Sequence, residues 1–382
     1  MPEVDVNETA VAESVGFLSF FKDLSDPRQR GKIVYPLAEV LLLILMAVMA
    51  ECDTIVDIAD FGQDKIDLLR KLRPFEHGTP SHDQLCNILA WLDPVVFQRC
   101  FVNWVASITK TATEVIAIDG KTVRRSYSKK SAQDPIHVVS AFAARQRLVL
   151  GQVKVDDKSN EIVAIPALLQ LLHIEGAIVT IDAMGCQREI ATQIVDQKAD
   201  YILALKGNQG TLREDVELFA DEQKASNFKD TQVTQHETTE ADHGRIETRK
   251  VTVIYDIEWL QKRHNWPGLA SVVMVESRRE LDAKVETETR FYISSLTRPA
   301  EQLGPMIRSH WAIENSHHWI LDVAMDDDLG RLRTQNAPHN FATVKAVAKN
   351  LIMYRKNPKI SFRRTRKRMD RSDDLFISFL NQ

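Results

Sequence analysis

Residues 177 to 187 read AIVTIDAMGCQ, and the way this stretch folds decides the architecture of the chain. An apolar run without polar alternation is the pattern of a strand buried on both faces, as in a parallel sheet covered by helices. It stops on Asp182. A single carboxylate at a strand end is explained by a turn or a cap, so the reading depends on what else arrives there. Upstream, VIAID at 115 to 119 has the same texture and also stops on an aspartate, Asp119. Between the two, HVVSAFAA (137–144) and LVLGQVKV (148–155) read as strands, and the short polar link Arg145, Gln146, Arg147 predicts a hairpin. EIVAIPALLQLLH then reads as a helix, AIVTID as a strand, REIATQIVDQ as a helix and ADYILALK as a strand.

The order βββαβαβ predicts an α/β fold with a mixed sheet. Three antiparallel strands followed by right-handed crossovers can place the first and fourth strands side by side. Asp119 and Asp182 then emerge at the same edge. Two ionised carboxylates at close range repel, and cations between them relieve the repulsion. Mg²⁺, with Mn²⁺ as a substitute, is the natural partner of hard oxygen ligands. Two such ions about 4 Å apart would activate a water or a 3′-hydroxyl and stabilise the leaving oxygen of a phosphodiester. Glu314, in HWAIENSHHWILDV (310–323), is the third carboxylate expected to close the site, with Asp322 and Asp326 farther along.

The chain has 382 residues and a formal charge of −4, so binding to phosphates must rely on local basic patches rather than on net charge. Cys52, Cys86, Cys100 and Cys186 show no CxxC spacing, which gives neither a disulfide framework nor a zinc-finger pattern. The start, MPEVDVNETAVAES, lacks the basic-then-apolar order of a signal peptide, and a cytoplasmic protein is expected. PLAEVLLLILMAVMA (36–50) is shorter than the ~20 apolar residues of a spanning helix and contains Glu39. It reads as a buried helix, with no membrane partner.

Residues 1–112 read as an all-helical N-terminal region. Thr79 or Ser81 caps a helix near Asp83, and Asp93 caps one that starts on Pro94. Residues 113–210 read as the first part of the α/β core. Residues 211–291 alternate as antiparallel strands after a charged helix and read as a β-rich insertion. Residues 292–355 complete the core, with a helix over 306–325 that begins after Gly304-Pro305 and carries Glu314. Residues 356–382 read as a basic tail.

Four blocks, IDGKT (118–122), TIDAMGCQ (180–187), ALKGNQ (204–209) and HWAIENSHHWILDV (310–323), resemble in order and spacing those of the DDE transposases of bacterial insertion sequences, specifically the H-repeat-associated type. DPRQRGKIVYPLAEVLLLILMAVMA (26–50) and GTPSHDQLCNILAWLDP (78–94) are similar to that family's helical region, so the resemblance covers nearly the whole chain. It implies an RNase H-like core with a β-rich insertion, and a catalytic, metal-binding triad of Asp119, Asp182 and Glu314. It also implies double-stranded DNA as substrate, as terminal inverted repeats and as target. A homodimer on paired ends, at the bacterial nucleoid, is expected with it. The wider group carries a Tyr, Arg, Glu, Lys signature around the final acid; here His310 stands at the Arg position and Leu321 at the Lys position.

For DNA contact the expected residues are Lys121, Arg124 and Arg125, followed by Lys129 and Lys130. Lys206 and Asn208 lead into a helix whose first amides suit a phosphate. His310, Trp311, Asn315 and His318 surround Glu314, and Trp311 and Trp319 either stack on a base or pack the helix. Arg363, Arg364, Arg366, Lys367 and Arg368 form a basic run that is either a solvated face or a DNA contact. Two rivals stand beside this reading. His310, Glu314 and His318, at i, i+4 and i+8, match a zinc site on one helical face, against which the hard oxygen ligands weigh. A catalytically inactive or domesticated DNA-binding regulator keeping the same fold is the other.

Overall fold

The computed structural model describes residues 16–109, 114–127, 134–155, 159–242, 245–281 and 284–380; Lys129 and Lys130 lie outside them. The N-terminal region is helical as expected, with α1 (Leu37–Met49), α2 (Ile55–Asp64), α3 (His82–Trp91) and α4 (Pro94–Ile108). From Val40 to Met49, α1 is buried on every face. Each such Leu or Ile contributes roughly 1.5–3 kcal/mol. Glu39 tolerates that setting because its Oε1 accepts the Phe75 amide at 3.1 Å. Ser81 and Gln84 form a capping box on α3, and Asp93 accepts the amides of Val95 and Val96 at the start of α4. Among the described residues no single helix is long and apolar enough to cross a membrane.

The strands are β1 (Val115–Thr122), β2 (His137–Ala143), β3 (Leu148–Val155), β4 (Ile178–Ile181), β5 (Asp200–Leu205), β6 (Val233–Asp242), β7 (Arg245–Ile254), β8 (Ser271–Leu281) and β9 (Lys284–Ser294). They form one sheet in the order β3-β2-β1-β4-β5-β9-β8-β7-β6. The β2–β3 hairpin is present, and β1 pairs parallel with β4, which pairs parallel with β5. Helices α5 (Glu161–Leu171) and α6 (Arg188–Asp196) form the crossovers. This is the mixed α/β, RNase H-like core that the sequence predicts. After α7 (Gly210–Ala225) come β6 to β9, with α8 (Glu258–His264) between β7 and β8; β9 pairs antiparallel with β5, so these strands continue the core sheet.

The last helical stretch departs from expectation. Helix α9 runs Ala300–Ser309, and therefore starts upstream of Gly304 and Pro305 instead of after them. A Cβ on Gly304 would come within 3.1 Å of the Val251 side chain, so this glycine serves the packing of α9 on β7. The chain then turns, winds as a π-helix over Ile313–His318, and returns to α-helix in α10 (Trp319–Ala324). Helix α11 (Ala337–Arg355) is buried along most of its length; Asn350 exchanges two hydrogen bonds with the backbone of Val149, closing the β3 edge. The expected basic tail is instead helical, with α12 (Phe362–Arg371) and α13 (Asp373–Leu380).

Candidate active site

Strand register delivers the first two carboxylates. Ile118 pairs with Ile181 at the last parallel step of β1 and β4, so Asp119 and Asp182 follow it on neighbouring strands. This is the carboxyl end of the parallel pair, where open α/β sheets bind ligands. Asp182 Oδ1 accepts the amides of Met184 and Gly185 at 3.0 and 3.3 Å, so the turn role expected of a lone strand-end aspartate is real. The loop it starts is held from below: Asn208 Nδ2 donates to the Ala183 carbonyl at 2.6 Å and Gln209 Nε2 to that of Cys186 at 2.9 Å.

Glu314 arrives differently. It lies at the first turn of the π-helix, whose buried members Ile313 and His317 anchor that turn while Glu314 and Asn315 face outward. Isolated π turns in helices concentrate at functional sites. Glu314 and Asp182 line one cavity of about 530 Å³ together with Lys206, Arg290, His310 and Trp311. The carboxylates also sense one another. Burial, then the charges of Glu161, Glu314 and Asp182, push the Asp119 carboxyl up to about 7 against its hydrogen bond with the Gly120 amide. Burial and Asp182 likewise raise Glu314, which Arg290 opposes.

Two residues of this site escape a sequence reading. Arg290, on β9, lies over the Trp311 ring at 5.2 Å and is the nearby cation that His310 does not supply. His310 is lowered by burial and is therefore neutral at pH 7; its Nδ1 lies 3.0 Å from Thr180 Oγ1. Glu161 is the second. Its Oε1 pairs with His137 Nε2 at 2.6 Å, and His137 Nδ1 meets Thr122 Oγ1 at 2.8 Å. A Cβ on Gly120 would collide with both Glu161 and His137, which explains the glycine after Asp119. Nothing in the sequence marks Glu161 as a neighbour of Asp119; the Asn160 cap fixes only where α5 begins.

His318 Nδ1 stands 3.6 Å from Asp119 Oδ2, and burial followed by Lys121 lowers it to about 4. His310 and His318 thus turn to different partners, and the helical face required by the zinc reading is absent. Among the described residues no three His, Cys, Asp or Glu side chains are close enough to hold a metal ion as they stand.

The basic residues divide sharply. Lys121 is enclosed by Asp322, Asp327 and Asp328 at 2.6, 3.8 and 3.4 Å, so its charge is matched within the protein. Arg124 is exposed, with Asp328 3.3 Å away, and Arg125 is exposed. Lys206 and Asn208 are exposed at the turn before α7. Trp319 is 55% exposed, which sets aside a purely packing role for it. On α12, Arg363, Arg364, Lys367 and Arg368 face outward. Arg366 does not. It is fully buried, and its guanidinium donates to the carbonyls of Val48 and Ala324 and to Asp53, so it is a structural clamp and not a DNA contact.

Known proteins match this chain along most of its length. Residues 18–105 match the family model described as DDE_Tnp_1-associated, and residues 110–351 match that of the transposase DDE domain. "Putative transposase YncI" of Escherichia coli O157:H7 is 39% identical over 358 residues, covering 92% of this chain and 91% of that protein. "H repeat-associated putative transposase YhhI" of Escherichia coli K12 is 38% identical over 358 residues, covering 91% and 94%. With strand-end aspartates in register and both family regions matched in order, the chain belongs to the DDE transposase family.

Proposed function

We propose that the chain is a DNA transposase that hydrolyses phosphodiester bonds at the ends of its element and joins the freed 3′-hydroxyls to target DNA. The observation that carries this reading is the pairing of Ile118 with Ile181, which sets Asp119 and Asp182 side by side within the field of Glu314. The donor set fits Mg²⁺ or Mn²⁺, because a carboxyl pushed up to about 7 by burial, and further by the charges of Glu161, Glu314 and Asp182, is one whose ionised form a cation would stabilise. Asp119, Asp182 and Glu314 would hold the metal. Mg²⁺ is usually held by one or two carboxylates together with substrate phosphates, so a preformed cage of three side chains is not required. Two bound ions would supply a metal-activated water or 3′-hydroxyl and stabilise the leaving oxygen.

The chain's own groups bind and orient the DNA. Lys206 and Arg290 bring positive charge to the wall that holds Asp182 and Glu314, where a phosphate oxygen would lie. Trp311, 38% exposed beside them, offers a flat face to a base. The outward residues of α12, Arg363, Arg364, Lys367 and Arg368, supply a second phosphate-binding face. Residues 1–112 recognise the terminal repeats and pair two protomers, because two ends must be joined together, and the protein works on the bacterial nucleoid.

Cleavage of DNA carrying the element's ends, in Mg²⁺, Mn²⁺ or chelator, tests this. Asp182→Asn is expected to reduce cutting by roughly 10²–10³-fold or more. Cutting at the wild-type rate by that variant would overturn the site. The alternative is a regulator that keeps the fold and binds the ends without cutting them. Specific binding with no cleavage under any metal would select it.

A further inference from the structure

A second cavity, of about 710 Å³, lies where residues 27–35 and α3 meet Gln335 and Asn336. Apolar Val34, Tyr35 and Ile88 share its wall with polar side chains. The carboxamides of Gln29, Gln84, Asn87, Gln335 and Asn336 line it, with the indole of Trp91 and the ammonium of Lys32. No carboxylate lines it among the described residues, which argues against a metal ion or an amine as its occupant. Trp91 leaves 51% of its surface in water, so part of its indole is open to a ligand. Gln84 Oε1 is engaged by the Ser81 amide at 3.1 Å, which fixes the side chain and leaves its amide nitrogen to the cavity.

A carboxamide presents a donor and an acceptor in one plane, the complement of a base edge. An indole is a stacking surface for a base, and a lysine beside it suits the phosphate. The volume falls within the range of small-molecule sites. A basic path also reaches this cavity from the strand of Asp119. Arg124 and Arg125 follow β1; Arg333 Nε donates to the Arg125 carbonyl at 3.3 Å, and its guanidinium lies over the Tyr127 ring. The next residue, Thr334, meets Cys86 of α3 at 3.7 Å, and Gln335 and Asn336 then enter the cavity wall.

We propose that this cavity takes up one nucleotide of a DNA strand, with its base stacked on Trp91 and its edge bonded by Gln84 and Asn87. The inference rests on the DNA-directed reading above and gives the N-terminal helices a defined contact.

The test is fluorescence anisotropy with the full chain in chelator, using labelled oligo-dA, a random-sequence DNA duplex and oligo-rA of equal length. Trp91→Ala is expected to weaken DNA binding by roughly tenfold or more. Trp91→Phe keeps most of the affinity, and Asn87→Asp weakens it by placing a carboxylate in the cavity. Because both positions border solvent, thermal unfolding of the variants should match wild type. Wild-type DNA affinity in both Trp91→Ala and Asn87→Asp would overturn the proposal, as would tighter, equally Trp91-dependent binding of the RNA. If wild type cuts no DNA under any metal while the Trp91 dependence holds, the catalytic reading fails and this one stands. If cutting occurs and Trp91 is irrelevant, the reverse is true.

Discussion

Asp119 and Asp182 reach the site by a different device from Glu314. The aspartates are placed by the register of two parallel strands, and a slip of either would require its ladder of hydrogen bonds and the packing of its buried side chains to be remade together. Glu314 is placed by the winding of a six-residue π turn between two helices. One device is rigid because many pairs must move together. The other depends on a single residue's worth of extra backbone, and so it is the softer part of the site.

The sharpest way to break that contrast is to delete Asn315, which lets the π turn wind as a regular α-helix. The bearing of Glu314 then changes, and end cleavage should fall by about 10²-fold or more, since small misplacements at a reacting centre already have that effect. Thermal unfolding should stay close to wild type. Full activity after the deletion would show that winding does not set Glu314.

A smaller effect is expected from Arg290→Ala. This residue is partly exposed, so cleavage should drop by roughly tenfold, below the loss seen for fully enclosed groups. Without Arg290 the Glu314 carboxyl rises further, and the acid limb of the cleavage profile should move to higher pH. An unchanged limb in a full pH series would remove Arg290 from the site.

The smallest effect concerns stability. Burial and its neighbouring carboxylates push the Asp119 carboxyl up to about 7 in the folded chain from an ordinary 3.8, so between those values the folded state binds more protons than the unfolded state. Stability of the metal-free protein should therefore fall as pH rises from about 4 to about 7. Asp119→Asn should flatten that decline in thermal unfolding with chelator present, and an identical slope in both proteins would refute the shift.

The same contrast explains what could be read from the chain. Strand burial and crossover handedness are general rules, so AIVTID and VIAID sufficed to pair Asp119 with Asp182. The π turn was not legible, because α- and π-winding use the same residues and differ only in backbone spacing. Arg290 was missed because its place beside Trp311 follows from the pairing of β9 with β5, a contact between distant parts of the chain. Arg366 was read as one more charge in a basic run. Its spacing with Phe362, Thr365 and Met369, at i, i+3, i+4 and i+7, marks the inward face of a helix, and that signal was available.

The Arg366 clamp has a consequence for the gene as well as for the protein. It ties the end of α1 and Asp53 to α10 from α12, 318 residues after Val48, so buried polar groups of the helical region are matched only once α12 has folded onto it. A gene copy interrupted by a stop codon before α12 would yield a chain lacking that lock, with the Val48 and Ala324 carbonyls and Asp53 left without their buried donor, and therefore prone to unfolding and degradation.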